Sequence, residues 1–160
     1  MNIQIAAATH KLYPIPSDPL YLPVQAGRAI HEPLPYAGDD TGDSISEKNA
    51  SFCELTCLYW AWKNLDADAV GLCHYRRYLS RRHRPLTLAD AERLMEKNAV
   101  LLPKKRQYYI ETNYSQYAHA HHACDLDLTR AILAERHPAY VPFFDASMKR
   151  RAKGLNRSGR

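Results

Sequence analysis

Glycine is scarce in this chain, six residues in 160, and none belongs to a glycine-rich loop of the kind that cradles phosphates. A nucleophile elbow is missing as well, which removes the hydrolase type of Ser/His/Asp catalysis. The four cysteines, Cys53, Cys57, Cys73 and Cys124, include no Cys-x-x-Cys pair, so neither a zinc knuckle nor a thioredoxin-type redox pair is expected. Cys53 and Cys57 stand four apart, as small apolar residues of one helix do. No apolar run approaches the ~18–20 residues of a membrane span. The amino-terminal stretch Met1 to His10 lacks the basic region of a secretory signal, and a cytoplasmic protein is expected on that ground. No internal repeat is present.

The net charge of +5 at first suggests a nucleic-acid or membrane partner. Its placement removes the suggestion. Lys149 to Arg160 carries six basic residues and no acid, and the rest holds 16 basic against 17 acidic side chains, a balance of −1. The expectation is therefore one near-neutral domain over residues 1–148 and a basic, disordered tail over 149–160. Specific nucleic-acid binding is not expected, because it would rest on the tail alone.

Strand-like and helix-like segments alternate, which argues for an α/β fold with a mostly parallel sheet flanked by helices. Ile3 to Ala8 reads as a first buried strand ending in Thr9-His10-Lys11. Six prolines between residues 13 and 36 forbid helix there, and Tyr21 to Gly27 is at most a compact ordered segment. Asp39-Asp-Thr-Gly-Asp43 is an acidic turn, suited to a cation or a sugar hydroxyl but equally to solvent. Ser51-x-x-Glu54 reads as a capping box, and Phe52, Leu55, Leu58, Tyr59 and Trp62 then recur at helical spacing as its core face. Ala69 to Tyr75 is apolar without alternation, as in a strand covered on both faces. Arg81 to Arg84 is a basic loop. Thr87-x-x-Asp90 caps a helix with Leu88, Ala91, Leu94 and Met95 on one face. Ala99 to Pro103 reads as a third strand, followed by the basic, aromatic segment Lys104 to Tyr109. Leu126, Ile132 and Leu133 mark a further helix that Pro138 ends, and another begins near Tyr140.

His74, Tyr75, Arg76, Arg77 and Tyr78 fall at a strand's carboxyl end, where open α/β sheets bind ligands. Arg76 and Arg77 suit diphosphate oxygens, since a guanidinium offers two parallel donors. Strand alternation would turn one of the two toward a given ligand, and either could instead pair with a carboxylate such as Asp39 or Asp43. Asp66-Ala-Asp68 precedes its strand and reads as a turn. Asp125-Leu-Asp127 with His119, His121 and His122 is a weak divalent-metal candidate, because its spacing is irregular.

Ile45-Ser-Glu-Lys-Asn49, Cys53-Glu-Leu-Thr56, Tyr59-Trp-Ala-Trp-Lys-Asn64 and Gly71-Leu-Cys-His-Tyr-Arg-Arg-Tyr78 together resemble a bacterial family. It is the domain of unknown function found in capsular and exopolysaccharide biosynthesis proteins, some of them galactofuranosyltransferase-like. Thr9-His-Lys11, Tyr21-Leu-Pro23, Gly27, Asp39-Asp-Thr-Gly-Asp43, Gln116-Tyr-Ala-His119 and Pro138-Ala-Tyr140 extend the likeness over about residues 3 to 148. The resemblance implies a glycosyltransferase with a GT-A-like nucleotide-sugar-binding domain, a nucleotide-sugar donor and a glycan or lipid-linked acceptor. It implies peripheral association with the inner face of the membrane. Mapped by position, Thr9, His10 and Lys11 lie near the nucleotide. Asp39, Asp40, Asp43, Lys48 and Asn49 lie near the sugar or its diphosphate, with Asp40 and Asp43 as catalytic candidates. His74, Tyr75, Arg76 and Arg77 form the floor, and His119 approaches from the later loop, His74 and His119 completing the catalytic set. GT-A sites place Asp-x-Asp after a strand, where this chain has His74-Tyr-Arg-Arg77; no cofactor is assigned, a divalent metal being the alternative to arginine. The pattern lapses after Met148, so an incomplete carboxyl-terminal part is expected. The rival reading is a non-catalytic binding or assembly module of polysaccharide synthesis.

Overall fold

A computed structural model describes residues 1–104 and 111–149, and the chain forms two compact units, Met1–Pro103 and Lys104–Arg160. The first unit is built on strands β1 (Ile3–Thr9), β2 (Tyr21–Gln25), β3 (Ala37–Gly38) and β4 (Ala69–His74). They form one parallel sheet in the order β3-β2-β1-β4. The expected α/β architecture is thus present.

Strand alternation makes β1 the divider between two cores. Ile3, Ile5 and Ala7 pack with Leu20, Tyr21, Cys73, Leu86 and Ala91 on one face. Ala6 and Ala8 pack with Val24, Cys57, Trp60 and Ala61 on the other. Alanine is a poor strand former by itself. Here three in a row are all fully buried, and the two that face α2, Ala6 and Ala8, leave the room that lets Trp60 settle against the sheet. Burial pushes the Cys73 thiol up to about 12 and raises that of Cys57, so both are packing residues.

Pro23 lies inside β2, which is a true strand rather than only a compact segment. Leu20 accepts a bond from Ile5, and Ala26 donates one to Thr9, so the even-numbered residues of β2 face β1. Pro23 therefore turns its missing N–H toward β3, whose pairing is confined to Val24 and Gln25. No ladder bond is lost.

Two helical pieces occupy the stretch expected to be one helix: α1 (Asn49–Phe52) and α2 (Leu55–Asn64). Cys53 separates them with φ 47° and ψ −131°, a conformation that glycine adopts readily and other residues rarely. Ser51 caps nothing, and α2 has no side-chain cap. The buried face is also not the expected one. Thr56, Cys57, Trp60 and Ala61 meet the sheet, whereas Phe52, Leu55 and Trp62 are exposed.

Strand β4 is an edge strand, half-buried along most of its length; Ala69 and Cys73 pack into one core and Leu72 into the other, so both faces are covered as expected. Among the described residues no strand pairs its outer side. A two-residue turn at Arg82 and His83, both at positive φ, joins β5 (Ser80–Arg81) to β6 (Arg84–Pro85). Helix α3 (Leu88–Met95) follows, and Thr87 caps it by accepting from the Asp90 N–H. Leu88, Ala91, Leu94 and Met95 face the core as expected. Asp90 receives both Arg81 (2.9 Å) and Arg84 (2.8 Å), which ties the hairpin to the helix. Residues 99–103 form no strand; Val100 and Leu102 are exposed while Leu101 packs inward.

The second unit contains α4 (Asn113–Ala120), α5 (Ala123–Arg136) and α6 (Val141–Met148). Helix α4, with a capping box from Thr112 and Ser115, lies where the sequence suggested only a polar cluster. Arg130 joins α5 to α6 through both oxygens of Asp145 (2.7 and 2.9 Å). None of the three helices has a buried residue. Most of the basic, aromatic segment after Lys104, and the tail beyond Lys149, lie outside the described residues.

Candidate functional site

A cavity of about 620 Å³ opens in the first unit at the carboxyl edge of the sheet. Ala8, Thr9 and His10 enter it from the end of β1, Gln25 from β2 and His74 from β4. His31, Glu32 and Leu34 line it from the loop after β2, and Asn49, Cys53 and Glu54 from the stretch around the α1–α2 junction. Asn49 and Cys53 stand four apart and so share one side, and Glu54 follows directly on the break at Cys53.

Buried polar groups fix this rim. The Thr9 hydroxyl donates to the Lys11 carbonyl (2.6 Å) and accepts from the Lys11 N–H (3.2 Å), which turns His10 and Lys11 outward at the strand end. Gln25 donates to the Glu32 carbonyl and accepts from the Leu34 N–H, each at 2.7 Å. That amide pins the 28–36 loop over the cavity. Asn49 donates to the Cys53 carbonyl (2.8 Å) and to Thr56 Oγ1 (3.1 Å). Gly27 (φ 67°) lies beneath it, where a Cβ would come within 2.7 Å of the Asn49 side chain.

Asp39 is the hub behind this wall. It is fully buried, and its carboxylate accepts from the N–H groups of Gly27 (2.9 Å) and Arg28 (3.1 Å) and from the hydroxyls of Ser46 and Thr56. Four donors from three segments saturate both oxygens, so Asp39 is not open to a ligand. Asp40 is exposed and faces Arg28 (3.8 Å). Asp43 accepts from the Tyr59 hydroxyl (2.9 Å) and stands 3.9 Å from Lys63. Neither lines the cavity. Lys48 is exposed one residue before α1.

At the end of β4, His74 Nδ1 accepts from the Arg76 N–H (3.2 Å), and Nε2 stands 3.7 Å from Glu54. A neutral ring in this setting carries its proton on Nε2, toward the carboxylate. Burial lowers the His74 pKa; Glu54 opposes that, and Arg76, Arg77 and His10 reinforce it. Tyr75 is buried rather than part of an open floor. Its ring meets His10 and Tyr13 edge-on at 5.3 and 4.8 Å. Lys11 Nζ and the Arg76 guanidinium carbon stand 5.7 and 5.1 Å from the ring centre, within cation–π range. Arg76 and Arg77 are both exposed, since the chain leaves the strand before alternation can part them. Among the described residues, none of Lys11, Arg76 and Arg77 has an acidic partner within 4 Å, so the alternative of pairing with Asp39 or Asp43 is not realised.

In the second unit His119 pairs with Glu111 (2.7 Å). Asp125 and Asp127 accept from Tyr117 and Tyr114. Among the described residues no three His, Cys, Asp or Glu side chains converge as a metal site would require, and this covers the His119–Asp127 candidate. The sequence reading missed Gln25, His31, Glu32 and Glu54, and took Glu54 for a capping residue.

A parallel sheet with helices on both faces and a cavity at its carboxyl edge is here a glycosyltransferase fold. It matches the apo structure of the WbbM bifunctional glycosyltransferase with a TM-score of 0.80 and 27% identity, over 96% of this chain and 32% of that one. The chain thus spans about a third of that protein's length. A family model described as "Domain of unknown function (DUF4422)" matches residues 4–156, and the chain belongs to that family. No curated protein matches. No described helix is long and apolar enough to cross a membrane.

Proposed function

We propose that this domain transfers a sugar from a nucleotide-sugar donor bound at the carboxyl edge of the sheet. The observation that carries the reading is the cavity itself, walled by polar side chains, in a fold shared with a glycosyltransferase. Lys11, Arg76 and Arg77 are not in its lining but follow the lining residues His10 and His74 within three positions. In the net reaction the bond from the anomeric carbon to the diphosphate oxygen breaks and its electron pair stays on that oxygen. The acceptor hydroxyl oxygen bonds to the carbon, and its proton passes to Glu54, beside His74. Thr9, His10 and Asn49 shape the donor cavity, while Lys11, Lys48, Arg76 and Arg77 supply positive charge around it. Asp40 and Asp43 act through the 39–43 loop that they anchor. The finer reading is a hexose, galactofuranose among the candidates, added to a glycan or lipid-linked acceptor of surface polysaccharide at the inner membrane face.

Thermal-shift titration with a panel of UDP- and GDP-sugars tests donor binding. A rise in Tm with at least one of them is expected. A folded sample that responds to none overturns the reading. A second role, as an assembly module, is favoured by the exposed apolar face of Ile45, Phe52, Leu55, Leu58, Tyr59 and Trp62. Arg76→Ala separates the two, since it should abolish transfer and spare binding to a partner.

A further inference from the structure

We infer that donor binding and departure of the diphosphate in this domain need no divalent metal, because Lys11, Arg76 and Arg77 meet the diphosphate charge. The inference rests on the nucleotide-sugar reading above and concerns the same cavity.

A metal-dependent site needs open carboxylates beside the diphosphate, and the acids near this sheet edge do not meet that requirement. Both oxygens of Asp39 are saturated by four donors inside the protein. Asp40 is turned to Arg28, and Asp43 to Tyr59 and Lys63. Glu32 and Glu54 line the cavity, but among the described residues neither belongs to a group of three His, Cys, Asp or Glu side chains. No convergent metal-ligand group exists among the described residues. Residues 105–110 and 150–160 contain no His, Cys, Asp or Glu.

The strand ends carry charge of the opposite kind. Lys11 follows β1, and Arg76 and Arg77 follow β4, strands that are direct neighbours in the sheet. Tyr75 gathers two of these cations, because the negative face of its buried ring attracts them. Cations assembled without acidic partners repel one another and a metal ion alike, and an anion relieves that repulsion. A diphosphate oxygen that gains an electron pair as the glycosidic bond breaks gains further from such donors, the electrostatic part otherwise taken by a metal. Tyr75 is a positioning residue in this scheme.

Isothermal titration of the protein with UDP, GDP and inorganic pyrophosphate, in excess EDTA and in excess Mn²⁺, tests it. The better of the two nucleotides should bind with a Kd that differs by less than about threefold between the two conditions. Arg76→Ala should weaken it about tenfold or more and make the dependence of Kd on salt shallower. Tyr75→Leu should weaken binding, with Tyr75→Phe restoring most of the loss. Binding that appears only with Mn²⁺ overturns the inference and leaves glycosyl transfer standing. Metal-free binding that Arg76→Ala, Arg77→Ala and Lys11→Ala together leave unchanged also overturns it. Failure to bind either nucleotide under both conditions overturns the nucleotide-sugar reading itself.

Discussion

Single residues carry more of this site's architecture than their sequence context announces. Asp39 is the clearest case, since one carboxylate joins the 27–28 turn, the Ser46 turn and α2. In Asp39→Asn the amide nitrogen must face two donors, and each buried group left unpaired costs about 1–3 kcal/mol. A stability loss of about 3 kcal/mol is expected, read as a fall in Tm of about 10 °C. His74 makes a prediction with a definite sign. Burial lowers its pKa in the folded chain below that of an unfolded histidine, so the unfolded state binds more protons as pH falls. Its contribution is complete above a pH of about 6.5 and is lost as pH drops through the folded value. Urea midpoints measured between about pH 7.5 and 5 should fall for the natural protein and fall less for His74→Gln. Asp39, Asp40 and Asp43 look alike in sequence, and burial separates the hub Asp39 from the two surface residues.

At the scale of elements, α3 was legible and α2 was not, for a physical reason. Around α3 the cap at Thr87 and the single apolar face at Leu88, Ala91, Leu94 and Met95 agree with one another. Helix α2 has two apolar faces, and its larger aromatic one is turned outward. The alanines of β1 leave a surface that takes Cys57, Trp60 and Ala61, and side-chain pattern alone does not reveal that fit. The two tryptophans separate the alternatives. Trp60→Ala should cost about 3–5 kcal/mol, whereas Trp62→Gln, at a position 61% exposed, should stay within about 0.5 kcal/mol. Equal losses in chemical denaturation would restore the face expected from the sequence. The site divides in the same way. Residues that leave the strands, such as Thr9, His10 and His74, could be placed from the strand pattern. Glu32 and Glu54 could not, because the loop and helix break that aim them at the cavity have no sequence signature.

For the molecule as a whole, the charge is distributed so that the folded body and the basic tail are separable contributions. Deletion of Lys149 to Arg160 leaves a balance of −1. Any salt-sensitive binding to duplex DNA should disappear with it, whereas nucleotide-sugar binding at the sheet edge should remain. A gel-shift titration across salt concentrations checks the first, and calorimetry the second. The kink at Cys53 has a wider consequence for how such a domain can diversify. Asn49, Cys53 and Glu54 line the cavity, and α2 beyond them packs on the sheet. Asn49 also donates to Thr56, which is bonded to Asp39, so an exchange there reaches both the cavity wall and the buried hub. Cys53 lines the cavity and enters neither hydrophobic core, which makes it the position where a new side chain alters the cavity and leaves the packing as it is.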